Sequence, residues 1–397
     1  MTIKGMFYMR QLLSIMLTML LIFLPTLLLV SANDSNNSWT GEASLSFDKG
    51  RGTKKDPYLI ATPEQLAYFS SSVNSGNSFK GEYIKVISDL DLGGKKWTPI
   101  AEYKSPRGVR FEGDFNGNNK IISNMLLDYP EKDVVGLFGI IGIQGNVYGI
   151  RMDNTSRVNG NECVGAVAGV NLFGTVSHCY VDINVSGNKD VGGLVGCNYG
   201  LVTVCSSEGL VYGSTDSVGG LVGYNHTGVI ANCHNNGIIK SEYASNVGGM
   251  TGYNEGEVTN SYNSGDVISK NGSNVGGIVG KNINYVNNCY SSAKLGGIKN
   301  VGGIVGLNTG YEICSYKSKV YNCFWNERLF GGLGVNNNNP LIYESLGALA
   351  ESMETSDAIL TGLNKNVNAS NKIGEKVYLM NWSLSKLGCP ELVLRKN

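Results

Sequence analysis

Charged residues are scarce in this sequence of 397 residues. They make up 16% of it, and 32 lysines and arginines balance 32 aspartates and glutamates. A nucleic-acid-binding protein would be expected to carry a basic patch or stripe, so this balance argues against nucleic acid as a partner. The low charge, 54 glycines and abundant asparagine also disfavour a helical bundle, because glycine and asparagine tolerate positive φ and favour tight turns.

The sequence also lacks the common catalytic and cofactor signatures. Histidine occurs only at positions 178, 226 and 234, there is no Cys-x-x-Cys pair, and the glycine-rich phrases match neither a dinucleotide fingerprint nor a phosphate-binding loop. Cysteines and histidines recur in separate repeats, so stacking would space them in a line, whereas zinc requires ligands that converge tetrahedrally. We therefore expect no catalytic residues, no metal and no cofactor.

One glycine-rich phrase recurs along most of the chain. Its fullest form is Val-Gly-Gly-Leu-Val-Gly, and its copies start 26 to 29 residues apart, at Val135, Val164, Val191, Val218, Val247, Val275 and Val301. A regular period of this length is the signature of a repeat architecture.

Each repeat has three parts. The glycine phrase is followed by an asparagine, then by a Gly-x-Val-x-x-Cys-Tyr motif, and then by a short apolar stretch. The asparagines are Asn171, Asn198, Asn225, Asn254, Asn282 and Asn308. Strands this short need partners, and coils stacked about 4.8 Å apart would pair them and align like side chains in columns. We predict an all-β, right-handed parallel β-helix of the pectin-lyase-like kind, with an asparagine ladder.

The direction in which two columns face stays open at this stage. Val176 and Cys179 are an odd number of residues apart, so a simple strand would place them on opposite faces. Either a bend lies between them, or the cysteine column faces outward and the tyrosine column faces the core.

Residues 1–32 are predicted to direct export. Lys4 and Arg10 precede the apolar stretch 12–30, and Val30-Ser31-Ala32 provides small residues for cleavage of a signal peptide. The stretch would also span a bilayer as an uncleaved signal anchor, since about 20 residues suffice. Both alternatives place the rest of the chain outside the cytoplasm, either secreted or on the extracellular surface.

The remaining chain is predicted to have four parts. These are a flexible lead-in (33–55), an N-terminal cap with the first irregular coils (56–130), the repeats (131–330) and a small C-terminal cap (331–397). Thr62, Pro63 and Gln65 form the start signal of a short helix. This helix is expected to cover the first coil.

The repeated phrase and its Gly-x-Val-x-x-Cys-Tyr partner resemble the GLUG motif, most closely at residues 193–196 and 220–223. That motif occurs in bacterial exported surface proteins and in the non-catalytic N-terminal region of IgA-specific metallopeptidases. The resemblance covers roughly residues 55–392 and implies a β-helix. The peptidases use a His-Glu-x-x-His zinc helix, which this sequence lacks, so the resemblance implies no peptidase activity.

The cysteine column offers candidate cross-links. An exported protein can hold disulfides, and neighbouring coils bring Cα atoms within the workable range of about 4.4–6.8 Å. Cys179 with Cys205 is the preferred pair, and Cys205 with Cys233 is the alternative.

Tyr180, Tyr262 and Tyr290 belong to a broken aromatic column, with Ser206 as the interruption. If the column faces outward, it forms a surface on which sugar rings can stack, because tyrosine combines an apolar face with a polar tip. If it faces inward, it is part of the core.

The expected function is that of a non-enzymatic binding or adhesion module, with glycans or proteins of host or neighbouring cells as partners. Membrane contact is expected only through an uncleaved N-terminal segment. Two alternatives stay open. Asp182 and Glu208 occupy equivalent positions in adjacent repeats and could serve a polysaccharide lyase or glycoside hydrolase, or the chain could be a structural spacer.

Overall fold

The computed structural model describes residues 38–104, 108–309 and 318–326, with short segments at 335–337, 351–352, 363–365, 382–384 and 390–392 and the single residues 360 and 367. The predicted export segment lies outside the described residues, as does most of the predicted C-terminal cap. In the part of the chain that is described, no helix is both long and apolar enough to cross a bilayer.

The described strands stack as a parallel β-helix, which confirms the predicted solenoid. Each full coil visits four sheets, which we number in the order in which the chain meets them after the glycine phrase. Among the described residues, sheet 1 contains Phe138–Ile141, Ala168–Asn171, Val195–Asn198, Val222–Asn225, Thr251–Asn254, Val279–Asn282, Val305–Asn308 and Val335–Asn337.

Sheet 2 carries the Gly-x-Val strands and begins earlier in the chain. Its described strands are Tyr58–Ile60, Tyr83–Val86, Asp114–Asn116, Asn146–Tyr148, Thr175–Ser177, Leu201–Thr203, Val229–Ala231, Glu257–Thr259, Tyr285–Asn287 and Lys319–Tyr321. Sheet 3 carries the tyrosine strands. Those described are Leu90–Asp91, Ile121–Ser123, Arg151–Met152, Tyr180–Val181, Ser206–Ser207, His234–Asn235, Tyr262–Asn263, Tyr290–Ser291, Phe324–Trp325 and Glu351–Ser352.

Sheet 4 closes each coil and leads into the next glycine phrase. Its described strands are Leu126–Asp128, Arg157–Asn159, Glu162–Val164, Asn184–Gly192, Leu210–Gly219, Ile238–Ser241, Ser245–Gly248, Val267–Ser269, Ser273–Gly276, Leu295–Gly296 and Lys299–Gly302. Outside the solenoid, Trp382–Leu384 pairs antiparallel with Pro390–Leu392.

A bend between sheets 2 and 3 settles how the columns face. His178 and Val204, just before their cysteines, have φ of 53° and 54°, and this left-handed conformation turns the chain sharply. Val176 and Cys179 are therefore both buried, although they are an odd number of residues apart. The first of the two alternatives is correct: the cysteine column faces the core and Tyr180 faces outward.

A second corner lies in the last part of sheet 4, just before the valine of each glycine phrase. The corner residues share a left-handed φ of 51–60°, and they are Val134, Cys163, Asp190, Ser217, Asn246, Asn274 and Asn300. The glycine phrase lets adjacent coils approach here. A Cβ at Gly223 would lie 2.2 Å from the carbonyl carbon of Asp190, so a larger residue would push the coils apart.

The predicted asparagine ladder is present. Each Nδ2 donates to the Oδ1 of the next coil at 2.8–2.9 Å, from Asn171 through Asn198, Asn225, Asn254 and Asn282 to Asn308. All six side chains are buried. A shorter ladder, which the sequence analysis missed, joins Asn235 to Asn263 at 2.8 Å in sheet 3.

The N-terminal end of the solenoid is closed by helix α1 (Pro63–Asn74). Thr62 is its N-cap, and Thr62 Oγ1 accepts from the Gln65 amide at 3.4 Å. In a simple capping box, the side chain at this position would bond the amide of the N-cap residue. Here Gln65 Oε1 accepts from the amide of Ala61, one residue earlier, at 2.7 Å. The helix places Phe69 against Phe115, with ring centroids 5.5 Å apart, inside the first coils.

Part of the segment 33–55, predicted to be a flexible lead-in, packs on the first coils. Trp39 packs edge-on against Trp97, with ring centroids 4.9 Å apart, and Phe47 stacks on Tyr58 at 4.6 Å. These aromatic side chains hold residues from 39 onward on the first coils. The sequence analysis relied on the polar composition of the segment and overlooked the two aromatic side chains, Trp39 and Phe47.

We expect Asn225→Ala to lower the free energy of unfolding by about 2–4 kcal/mol, because each buried polar group left unpaired costs about 1–3 kcal/mol. Chemical denaturation measures this. Asn188→Ala is the control, since Asn188 is exposed and its loss should change stability by less than about 0.5 kcal/mol. Equal effects of the two substitutions would contradict a stabilising ladder.

Candidate functional site

The outer column of sheet 3 is the main candidate site. Parallel pairing aligns one outward side chain from each coil, and the column runs Arg151, Tyr180, Ser206, His234, Tyr262, Tyr290 and Phe324. The following residue of each strand, such as Val181 or Asn235, is buried on the core side. Side chains alternate between the two faces of each two-residue strand. The aromatic rings therefore lie on the outer surface of sheet 3.

Two neighbouring rings of this outer column are stacked. His234 and Tyr262 are 4.9 Å apart between ring centroids, with planes only 4° apart. The Arg151 guanidinium lies over the Tyr180 ring at 5.3 Å. Burial lowers the pKa of His234, and the Glu208 carboxylate only partly opposes the shift. The imidazole is therefore neutral at physiological pH and stacks as an aromatic ring.

The C-terminal segment covers the far half of the outer column. Leu363, Val367 and Trp382 form a buried cluster with Tyr290 and Phe324. The indole of Trp382 lies 5.9 Å from the Tyr262 ring. Its Nε1 donates to Asn260 Oδ1 at 2.6 Å.

This cover separates the three tyrosines singled out from the sequence. Tyr290 is buried, with 3% of its surface exposed, and Tyr262 is partly buried against the same cluster. Tyr180 lies beyond the cover and lines an open cleft. The column therefore faces outward, and its far half is buried by the C-terminal segment and not by the core of the coils.

The cleft has a volume of about 490 Å³. Its lining is Asn119, His178, Cys179, Tyr180, Val204, Cys205, Ser206, Asn232, His234 and Leu392. Ser206 pairs with Tyr180 on one side and with His234 on the other, and it is buried, with 5% of its surface exposed. Successive coils are about 4.8 Å apart. Tyr180 and His234 belong to coils separated by one coil, in which the column carries the small side chain of Ser206.

Polar groups follow the outer column on the same strands. Glu208 accepts a hydrogen bond from the Tyr180 hydroxyl and another from Asn236 Nδ2 at 3.5 Å. Burial, followed by the hydrogen bond to Glu208, raises the pKa of Tyr180, so its hydroxyl stays a donor. Of the two carboxylates considered for catalysis, Glu208 is therefore engaged with Tyr180.

The preferred cross-link between Cys179 and Cys205 does not form. Both are free, buried thiols, as is Cys233. Cys179 and Cys205 donate to backbone carbonyls within their own coils, at 3.2 and 3.3 Å, so the sulfurs point along equivalent directions in successive coils. Burial raises the pKa of both thiols well above the ordinary value, which keeps them protonated.

The disulfide instead joins Cys163 to Cys197, with Cα atoms 5.4 Å apart. Cys163 occupies the corner in its sheet 4 strand, and Cys197 lies on the sheet 1 strand of the next coil. The sequence analysis missed this pair because the two residues belong to different columns. Their separation of 34 residues does not match the repeat period.

A second aromatic stack lies on the outer side of sheet 1 and was also missed. Tyr199 stacks on His226 at 4.6 Å, His226 on Tyr224 at 4.2 Å, and Tyr224 on Tyr253 at 5.0 Å. Lys281 lies over the Tyr253 ring at 4.8 Å. Each of these residues directly precedes or follows a ladder asparagine. This regular position in the sequence could have identified them as a second column. The faces of the stacked rings contact one another, and the ring edges point to solvent.

The repeats carry the GLUG motif, whose family profile matches residues 214–240. This confirms the resemblance inferred from the sequence. The matched segment corresponds to one coil, from sheet 4 through sheets 1, 2 and 3.

Two curated relatives share part of the chain. A candidate Gly-rich membrane protein of Evansella cellulosilytica is 33% identical over 147 residues, which are 36% of this chain and 16% of that protein. Halomucin of Haloquadratum walsbyi is 28% identical over 167 residues, which are 40% of this chain and 2% of that protein. The chain therefore matches only a small part of the length of either relative.

One solved structure has a similar fold. It is a candidate immunoglobulin A1 protease from Bacteroides ovatus, with a TM-score of 0.51 and 20% identity, covering 87% of this chain and 95% of that one. This likeness supports the β-helix and extends over nearly the whole of both chains.

We expect Trp382→Ala to release the cover from the outer column. Removing a buried tryptophan costs about 3–5 kcal/mol, and the cover has few other described contacts. Binding of a hydrophobic dye and protease cleavage after residue 326 should both increase. Lys365→Ala is the control, because Lys365 is exposed. Unchanged dye binding and cleavage in the Trp382 variant would show that the cover is held elsewhere.

Reduction of the Cys163–Cys197 disulfide should destabilise the solenoid by about 3–4 kcal/mol, as loop closure over 34 residues implies. Thermal unfolding with and without a thiol reductant measures the change. Cys163→Ser should be equally destabilised and should show no further response to the reductant. A wild-type protein that is insensitive to reduction would argue against a stabilising bridge.

Proposed function

We propose that this chain is a surface-associated β-helix that binds carbohydrate in the cleft at Ser206. The observation that carries the proposal is the cleft lined by Tyr180, Ser206 and His234, where a small side chain stands between two aromatic ones. A pyranose ring has apolar faces that stack on aromatic rings. A sugar in the cleft could stack on Tyr180 or His234.

The lining of the cleft supports a sugar over a purely apolar ligand. Asn119 and Asn232 offer side-chain amides, and His178 offers an exposed imidazole. Small-molecule sites commonly combine apolar walls with a few such polar groups that orient the ligand. Sugar hydroxyls donate and accept, so they match this mixed lining.

The proposal also includes where the protein is located and which partners it binds. The predicted export segment and the surface-type names of the two relatives support a place at the cell surface. A solenoid there offers a long binding face. Glycans of a matrix or of a neighbouring or host cell are the partners that this cleft would recognise, and the chain would act in adhesion.

The test is a glycan array probed with wild-type protein and with Ser206→Tyr. Tyrosine occupies the equivalent position one coil before, at Tyr180, and two coils after, at Tyr262, so the fold should accept the substitution. We expect binding to fall at least tenfold, because the larger side chain occupies the cleft. Thr227→Tyr, at an exposed position on another face, is the matched control.

Binding that survives Ser206→Tyr would place the ligand elsewhere, and an array with no wild-type signal would favour a structural spacer. The enzymatic alternative is tested with a panel of acidic and neutral polysaccharides. Release of reducing or unsaturated ends that disappears in Glu208→Gln would replace the binding module with a polysaccharide-degrading enzyme.

A further inference from the structure

Three potential metal ligands converge where a corner of sheet 4 meets the adjoining sheet 1 strand. The ligand atoms of Cys163, Asp190 and Cys197 all lie within 4.8 Å of one another. Asp190 Oδ2 is 3.8 Å from Cys197 Sγ. Asp190 and Cys197 are buried and Cys163 is partly exposed, which leaves a route to solvent.

The side chain of Ser217 hydrogen-bonds Asp190, but one of the two Asp190 oxygens has no partner among the described residues. That oxygen is Oδ1, and Asp190 is only 5% exposed. A buried, unpaired carboxylate oxygen is costly. Its other oxygen lies 3.9 Å from Lys189 Nζ, but that lysine is about equally close to Glu162, at 3.6 Å. Lys189 could therefore remain with Glu162 if a cation took its place at Asp190.

The backbone holds these three residues independently of the bond between the sulfurs. Val164 pairs with Val191, and Asn171 with Asn198, so the strands that flank Cys163, Asp190 and Cys197 are fixed by the stack. Both corner residues have a left-handed φ, 51° for Cys163 and 54° for Asp190. The ligand set should persist when the disulfide is opened.

This combination occurs once among the described coils. The remaining corner residues are Val134, Ser217, Asn246, Asn274 and Asn300, and none of them offers a thiolate or carboxylate. The residues that pair along the column of Cys197 are Val170, Tyr224, Tyr253, Lys281 and Leu307. The site is therefore a local departure from the repeat.

We propose that the Cys163–Cys197 disulfide is reversible and that its reduced form, with Asp190, binds one zinc-class divalent ion. A dithiol reductant supplies two electrons and two protons, the S–S bond breaks, and the reductant leaves as its own disulfide. Both thiols lose their protons when the ion binds. Two sulfurs at about 2.3 Å and one oxygen at about 2.0–2.2 Å would leave a fourth tetrahedral position open to water.

The geometry agrees with this ligand set. In a tetrahedral site with those bond lengths, a sulfur and an oxygen ligand are about 3.5 Å apart. The distance between Cys197 Sγ and Asp190 Oδ2 is 3.8 Å, so little movement is needed beyond separation of the two sulfurs.

The experiment titrates the full chain with Cd²⁺ as a spectroscopic substitute for zinc, before and after reduction by a dithiol. We expect the reduced protein to bind one more ion than the oxidised protein, with thiolate-to-cadmium charge-transfer absorption. Cys163→Ser should abolish this binding, and Asp190→Asn should weaken it at least tenfold. Cys289→Ser is the matched control, since the same column already tolerates Ser261, and it should bind as the wild type does.

A second measurement keeps the test decisive if a variant fails to fold. Zinc should slow alkylation of Cys163 and Cys197 in the reduced wild-type protein at least tenfold, as read by peptide mass spectrometry. The proposal is overturned if zinc leaves these alkylation rates unchanged. It is equally overturned if folded Cys163→Ser or Asp190→Asn binds cadmium as tightly as the wild-type protein.

Discussion

In-register parallel pairing between successive coils is the constraint on which the rest of this structure depends. It places each ladder asparagine beside the next, at 2.8–2.9 Å, and it aligns the apolar columns inside. A slip of one residue would turn the valines outward and break the amide ladder together. The ladder thus specifies the register, while burial of the valine columns supplies much of the stability.

The features that recur in every coil could be predicted from the sequence, and single contacts could not. The repeat period and the asparagine ladder follow from positions that recur in the sequence, such as Asn225. The cap helix follows from a local start signal at Thr62. The bend before Cys179 repeats in the backbone, but its residue varies from His178 to Asn232, so the sequence pattern conceals it. The contact between Trp382 and Asn260 joins a repeat to a segment outside the repeats, and no periodic signal could reveal it.

Both proposed sites lie where one coil departs from its neighbours. Ser206 interrupts a column of rings, and Asp190 places a carboxylate at a corner where most coils have asparagine or another uncharged residue. The stacked backbone is nearly the same in every coil, so such a change alters the surface without changing the fold. The tyrosines were identifiable from the sequence as one column. Which of them is covered depends on the C-terminal segment.

The cover over the outer column has a consequence for how the protein is made. Trp382 follows its partner Asn260 by 122 residues, and coils can form as soon as their neighbours are available. During synthesis or export, Tyr262, Tyr290 and Phe324 would therefore stand in water on a finished stack until the last part of the chain arrives. A chain truncated ahead of Trp382 would keep that apolar strip exposed, as a surface for self-association or for quality-control proteases.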